Sequence, residues 1–272
     1  MRSVVGMMIV MCSYQDVAHA APIRKYENVV IGGIRQAISL KGVDSLAPLL
    51  LFLHGGPGNS AMGYDEKFTK ELQKHFVVVQ WDQRDTERTL KLNRSDKPLT
   101  VDLMVDDAVE MIRYLNLRFS KKKIWLMGHS WGGFLALMVT GKNPELVEAC
   151  FAVCPMVDQL KSERVTLDLM INRATETKNT AAQEELKNVA IPFANAQQLY
   201  LDRKWIAIFS GKKPPAREFV LQWGKTWFTL FSEARAVNLF EKLPEIKSPV
   251  YFLVGKKDIQ THYSVTAEYY NA

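Results

Sequence analysis

Cysteine is scarce in this chain, with three residues among 272, and no two of them form a C-x-x-C pair. This scarcity excludes a disulfide framework and a zinc ribbon. Long apolar runs are also lacking, because the longest spans 4–12 and a membrane helix needs about 20 such residues. We therefore expect no membrane span and no stable insertion into a bilayer.

Charge of one sign is not concentrated anywhere in the sequence. The formal net charge of +6 comes from 35 basic and 29 acidic residues that are scattered, with only short lysine clusters at 121–123 and 212–213. Nucleic-acid binding needs a basic stripe on a recognisable module, and the sequence has neither. It also has no metal-ligand cluster and no nucleotide-binding motif, so neither a metal nor another cofactor is predicted.

The first twenty residues have the layout of a secretory signal peptide. Met1-Arg2 gives a positive start, 4–12 gives an apolar stretch, and Ala18-His19-Ala20 offers an A-x-A cleavage site. We predict that 1–20 is removed and that the protein is secreted or periplasmic. The alternative is an ordinary N-terminal strand in a cytoplasmic protein, which Asp16 and the short apolar stretch favour.

The remaining sequence alternates between short apolar runs and segments with helical spacing. Its composition, 47% hydrophobic and 24% charged, is typical of a globular protein with a large core. Continuous apolar runs predict strands that are buried on both faces, at 48–53, 76–81, 124–127, 149–153 and 250–254. Helical spacing at 100–117 and 130–140 separates some of them, whereas about 158–248 contains only helices and loops. This order predicts an α/β fold with a mainly parallel sheet and a helical insertion.

A serine motif lies between one of these strands and the helix that follows it. Gly128-His129-Ser130-Trp131-Gly132 fits G-x-S-x-G, and small neighbours allow a sharp strand-to-helix turn that projects the serine hydroxyl above the sheet. The N-terminus of the following helix favours negative charge that develops nearby. The alternative is a plain tight turn with Ser130 as the helix N-cap.

Two loops at the ends of other strands add candidate groups. In His54-Gly55-Gly56-Pro57-Gly58, glycines let backbone N–H groups approach a substrate oxygen, and with the N–H of Trp131 they would form an oxyanion hole. We expect His54 to shape this loop rather than to catalyse. Asp258 follows the last apolar run and could orient an imidazole, although a lone aspartate in a loop is usually a turn former.

Three features together resemble the α/β-hydrolase superfamily, and within it the proline iminopeptidase-like branch. They are the loop 54–58, the stretch Trp81-Asp82-Gln83-Arg84, and the serine motif 128–133. The resemblance implies an α/β-hydrolase fold whose mainly parallel central sheet is flanked by helices. The core would comprise 21–157 and 248–272, and the inserted helices at 158–247 would form the family's cap.

The resemblance also implies a Ser-His-Asp mechanism with assigned roles. Ser130 would be the nucleophile, Asp258 the acid, and the N–H groups of Gly56 and Trp131 the oxyanion donors, with His54 and Gly55 in the oxyanion loop. The substrate would be a small molecule or a short peptide. The oligomeric state is not predicted.

This sequence departs from the branch at two places that bear on the substrate. The stretch after Arg84 is usually rich in glycine but reads Asp-Thr-Glu-Arg-Thr at 85–89. The branch binds a free substrate amine with carboxylates in tryptophan-rich cap segments, and here those segments carry lysines. Trp205, Trp223 and Trp227 remain candidates for substrate binding. The possible replacement carboxylates are Glu163, Asp202 and Glu218.

The third departure concerns the catalytic histidine. None of the five histidines, at positions 19, 54, 75, 129 and 262, occupies the family's position after one further strand. We therefore expect that the chain is truncated at its C-terminus and that this form has lost most of its hydrolytic rate, because a serine without its base is a poor nucleophile. The preferred prediction is an aminopeptidase similar to proline iminopeptidase. The alternatives are a hydrolase of small esters or amides and a non-catalytic binding protein.

Overall fold

The computed structural model describes residues 21–63 and 68–272. The predicted signal peptide at 1–20 lies outside these residues, so it stays a prediction. Within the described ranges, no helix is both long and apolar enough to cross a bilayer.

The sheet contains seven strands in the described part of the chain. They are β1 (Ile23–Ile31), β2 (Ile34–Gly42), β3 (Leu49–Leu53), β4 (Val77–Asp82), β5 (Ile124–His129), β6 (Val147–Val153) and β7 (Val250–Leu253). Their order across the sheet is β1-β2-β4-β3-β5-β6-β7. The pairs β1–β2 and β2–β4 are antiparallel, whereas β4, β3, β5, β6 and β7 run parallel. The predicted α/β-hydrolase fold with its mainly parallel sheet is confirmed.

The distribution of apolar residues explains which strands and helices lie in the core. Every residue of β3 and β4 is buried, as expected for central strands with helices on both faces. The helices are α1 (Glu87–Leu92), α2 (Val101–Arg118), α3 (Trp131–Lys142), α4 (Gln159–Glu176), α5 (Thr180–Leu186), α6 (Ala196–Phe209), α7 (Arg217–Ala236), α8 (Leu239–Lys242) and α9 (Tyr263–Asn271). Helix α3 is buried almost all round, because it packs against β3, β5, β6 and α2.

Helices α4 to α8 form an insertion between β6 and β7. The two ends of the insertion meet, because Asp158 and Asn238 form an antiparallel bridge and the N–H of Leu239 donates to the carbonyl of Val157 at 2.8 Å. The chain therefore leaves and rejoins the sheet layer at one point, and β6 pairs directly with β7.

The stretch that follows β4 is fixed by a buried polar network. Arg84 and Asp107 form a two-pronged ion pair, with Nε–Oδ2 at 2.8 Å and Nη2–Oδ1 at 2.9 Å. Arg84 also donates to the carbonyl of Gly32 at 2.8 Å. Gln36 links the pair to β4, since it donates to Asp107 at 2.8 Å and accepts from the indole of Trp81 at 2.8 Å. The network joins the β1–β2 turn, α2 and the end of β4.

Two residues of the stretch 85–89 have backbone conformations that favour glycine. Asp85 has φ +56° and Glu87 has φ +32°, both in the region that favours glycine. Asp85 gains a compensating contact, because its Oδ1 accepts from the N–H of Ser95 at 2.7 Å. Glu87 has only an exposed Lys91 at 3.9 Å, so its strain is not offset.

Replacing Glu87 with glycine should therefore stabilise the fold. We expect Glu87→Gly to raise the free energy of unfolding by about 0.5–1 kcal/mol. Glycine adopts this positive φ without steric strain, and the substitution removes only a weak side-chain contact. Asp85→Gly is the matched comparison, and it should give no gain because it leaves the Ser95 N–H without its acceptor. Urea unfolding of both variants measures the difference. Equal stabilisation by both would contradict the argument.

Candidate active site

Ser130 lies on a strained turn between β5 and α3, with φ +55° and ψ −116°. A non-glycine residue holds this conformation only when its surroundings fix it. Here the N–H of Ser130 donates to Val153 O at 2.9 Å, and its carbonyl accepts from Phe134 N at 3.0 Å. Ser130 does occupy the N-cap position of α3, but its side chain makes no capping hydrogen bond to that helix.

Two glycines allow the helix to approach the strands this closely. A Cβ on Gly128 would lie 2.0 Å from the carbonyl oxygen of Gly132, and a Cβ on Gly132 would lie 2.0 Å from that of Leu53. Real side chains do not tolerate such distances, so both positions require glycine. The motif thus sets the height of the Ser130 hydroxyl above the sheet.

The glycine-rich loop 54–58 is held by His54, which is buried. Its Nδ1–H donates to the carbonyl of Gly55 at 2.8 Å, and its Nε2 accepts from the N–H of Gln83 at 3.2 Å. Burial lowers the pKa of His54 to about 4, so the ring is neutral near pH 7. Both ring nitrogens are occupied by backbone groups. His54 therefore positions the loop, as the sequence predicts, and is not available as a base.

Gln83 connects this loop to the residue after the serine. Its side-chain nitrogen donates to the carbonyl of His54 at 3.3 Å, and its side-chain oxygen accepts from the indole of Trp131 at 3.0 Å. Gly56 lines the same cavity as Ser130. Trp131 begins α3, where backbone N–H groups lack partners within the helix. Sequence reasoning did not identify Gln83 as the link between the two predicted oxyanion donors.

A cavity of about 320 Å³ opens above Ser130 and is mostly apolar. Of the three tryptophans proposed for substrate binding, Trp223 lines it, and its indole donates to Pro57 O at 2.8 Å. Trp227 instead packs against Gly58, where a Cβ would lie 2.4 Å from the indole. Trp205 is buried and donates to Glu185 at 2.9 Å, away from the cavity lining. The prediction that Trp205 and Trp227 face the substrate does not match their positions.

Asp258 lies on the loop after β7 and shares a second cavity, of about 400 Å³, with Ser130. Its Oδ1 accepts from the N–H groups of Gln260 at 2.9 Å and Thr261 at 3.1 Å, and its Oδ2 accepts from the Thr261 hydroxyl at 2.9 Å. The aspartate is therefore a turn former and also a carboxylate on the same cavity as the serine. The role of Asp258 as the acid of a Ser-His-Asp mechanism stays a prediction.

His129 lines this second cavity as well. The bend at the end of β5 brings its ring close to the loop 54–58, where a Cβ on Gly55 would lie 3.0 Å from His129 Nδ1. Burial lowers the pKa of His129, and the Asp258 carboxylate opposes this effect. His262 caps α9 and stacks on Tyr263.

Two of the three carboxylates considered for amine binding are already paired. Glu163 accepts from Arg235 at 3.1 Å and lies 3.6 Å from Arg203, and Arg203 also bonds to Asp202. Burial raises the pKa of Asp202 to about 6, against the lowering effect of Arg203. The third candidate, Glu218, is exposed and does not line the cavity. Among the described residues, no acidic side chain lines the cavity above Ser130.

The α/β hydrolases share one arrangement of these elements. A strained serine lies between a parallel strand and a helix, a glycine-rich loop lies beside it, and an acid follows a later strand. The profile of the alpha/beta hydrolase fold family matches residues 48–270. The chain therefore belongs to the alpha/beta hydrolase family.

Individual relatives confirm the resemblance to the proline iminopeptidase-like branch. Probable aminopeptidase YbaC of Bacillus subtilis is 30% identical over 264 aligned positions, which cover 88% of this chain and 83% of that protein. A proline iminopeptidase of Heyndrickxia coagulans is 26% identical over 237 positions, 82% of this chain and 78% of that protein. The crystal structure of a proline iminopeptidase-related protein from Thermus thermophilus has the same fold. Its TM-score is 0.61 at 22% identity, covering 92% of this chain and 86% of that one.

The buried neutral ring of His54 makes stability depend on pH. The unfolded chain takes up a proton on this residue below about pH 6.5, and the folded chain does so only near pH 4. The free energy of unfolding should therefore fall as the pH is lowered from about 6.5 to 4, with up to about 3 kcal/mol from His54. Urea unfolding across this range measures the slope.

The control for this prediction is a histidine at the surface. His54→Gln should reduce the slope of stability against pH, whatever its effect on stability at pH 7. His75→Gln, at an exposed position, should leave the slope unchanged. A His54→Gln variant with the parental slope would show that the ring does not resist protonation.

Proposed function

We propose that this hydrolase is a serine hydrolase of small esters or amides, with Ser130 as its nucleophile. The observation that supports this most directly is the strained turn at Ser130, which opens on a cavity shared with Gly56. A backbone conformation that costs free energy is retained where the fold needs the side chain at a particular point. The apolar cavity above the serine limits the substrate to a modest acyl group.

The chemistry follows the general mechanism of the superfamily. Ser130 Oγ attacks the carbonyl carbon, and the resulting oxyanion accepts hydrogen bonds from the N–H groups of Gly56 and Trp131. In the superfamily an imidazole takes the serine proton and passes it to the leaving group; no histidine of this sequence is assigned that role here, and Asp258 would stabilise the imidazolium cation. Water then attacks the acyl-enzyme and releases the acid. The cavity shared by Ser130 and Asp258 is the place where this proton transfer would occur.

Aminopeptidase activity of the proline iminopeptidase type is a second candidate. It is favoured by the 30% identity with a probable aminopeptidase. That activity needs a negative group to bind the free amine of the substrate. The pairing of Glu163 and Asp202 with two arginines weighs against it.

The nucleophile can be tested with a fluorophosphonate probe, which labels activated serines covalently. We expect a form of the protein that supplies a histidine base to be labelled, and its Ser130→Ala variant to lose all labelling, because the reactive oxygen is removed. Ser210→Ala in the same form is the matched control: it removes another hydroxyl that lines the same cavity and should retain labelling. Labelling of Ser130→Ala would refute the assignment. A form with the histidine base that is never labelled would favour the non-catalytic binding protein.

The two substrate classes can be separated by direct comparison. We expect short-chain nitrophenyl esters to be hydrolysed with a kcat/KM at least about tenfold higher than the naphthylamides of proline, alanine and leucine. The reason is that the described lining of the cavity contains no acidic side chain that could bind the ammonium group of an amino-acid naphthylamide. Faster hydrolysis of the proline naphthylamide than of every ester would establish the aminopeptidase instead.

A further inference from the structure

The charged side chains that line the cavity above Ser130 are both positive in the described part of the chain. They are Arg203, on α6, and Lys212, just after that helix. The rest of the lining is mainly apolar and aromatic, and it includes Phe219, Trp223 and Phe231. A cavity with low-polarity walls and charge of one sign concentrates ligands of the opposite charge.

Lys212 is free to meet a ligand. Its backbone is fixed, because its N–H donates to the carbonyl of Ala207 at 2.8 Å. Its side chain is exposed, and it makes no hydrogen bond or ion pair with any other described residue. Lys212 also lines the second cavity, which Ser130 and Asp258 line as well, so this residue belongs to the lining of both spaces.

The neighbouring buried cluster does not cancel this positive charge. It contains two carboxylates, Glu163 and Asp202, and two guanidinium groups, Arg203 and Arg235. The two charge types are equal in number, and burial favours the neutral form of Asp202. The cluster therefore supplies no surplus negative charge to the cavity above Ser130, and within the described lining of that cavity a substrate ammonium group would meet Lys212 and no acid.

We propose that the cavity selects esters or amides whose acyl part carries a carboxylate, which pairs with Lys212 beside the guanidinium of Arg203. This proposal rests on the proposed function, since it names the substrate class of the same serine hydrolase site. The apolar and aromatic lining holds the hydrocarbon part of the acyl group, and the cationic side chains hold its charged end.

The test uses three ligands that share one apolar body and differ in charge. Isothermal titration calorimetry of the parent chain with 4-phenylbutyrate, 4-phenylbutyramide and 4-phenylbutylamine measures binding without any need for turnover. We expect the carboxylate to bind at least about tenfold more tightly than the amine, with the amide in between, and its advantage to shrink at high salt. Equal binding of all three, tighter binding of the amine, or no binding would overturn the proposal.

Adjacent lysines provide the matched pair of variants. Lys212→Gln should weaken binding of 4-phenylbutyrate about fivefold, the upper range for an exposed charge pair, and leave the amide unaffected. Lys213→Gln removes the same charge from the next residue, which does not line the cavity, and should change nothing. Both side chains are exposed, so neither substitution should change the stability of the fold. Equal effects of the two variants would mean that only overall charge matters, which contradicts the proposal.

Failure of this proposal can be told apart from failure of the proposed function. Fluorophosphonate labelling is measured on the form that supplies the histidine base. Labelling together with a preference for the amine refutes the carboxylate selection alone. A preference for the carboxylate without labelling refutes the hydrolase and leaves an anion-binding cavity.

Discussion

The close approach of α3 to the strands beneath it is the constraint on which the site depends. Gly128 and Gly132 make the approach possible, since a Cβ on either would lie 2.0 Å from a backbone oxygen. The turn between β5 and α3 is then so short that Ser130 must adopt φ +55°. The strain is local, but the hydrogen bonds that offset it come from β6 and from α3 itself. Placement of the serine is thus a property of the packed layers rather than of the motif alone.

The stretch after β4 connects this turn to the rest of the site. Trp81 and Arg84 are tied to the β1–β2 hairpin and α2 through Gln36 and Asp107. Asp82 accepts from Ser60, beyond the oxyanion loop, and Gln83 holds both His54 and Trp131. The four side chains at 81–84 all hold neighbouring segments in place through hydrogen bonds, and none of them takes part in the proposed chemistry. This explains why a motif with no reacting group accompanies the serine motif in the sequence.

Sequence reasoning succeeded where the cause is local. Continuous apolar runs marked the central strands, and the glycine spacing around Ser130 marked the turn, because each depends on neighbours in the chain. It did not find Gln83, whose bonds to His54 and Trp131 span 29 and 48 residues. It also could not separate Trp223 from Trp205, since the rotation of each helix over the oxyanion loop is set by tertiary packing. The partner of Glu163 is 72 residues away, and no pattern in the sequence pairs it with Arg235.

The inserted helices show how burial decides the electrostatics of the site. A carboxylate in the interior is costly unless it is paired, so Glu163 and Asp202 require cations beside them. Arg203 and Arg235 supply these, and the ring of Phe193 lies 4.8 Å from the Arg235 guanidinium. Once paired, the acids cannot also act as free charges toward a substrate. An acid that bound a substrate amine would need to face the cavity with no arginine beside it. Among the described residues that line the cavity above Ser130, the charge with no ion-pair partner is the lysine at 212, because the arginine at 203 is already paired with the buried acids.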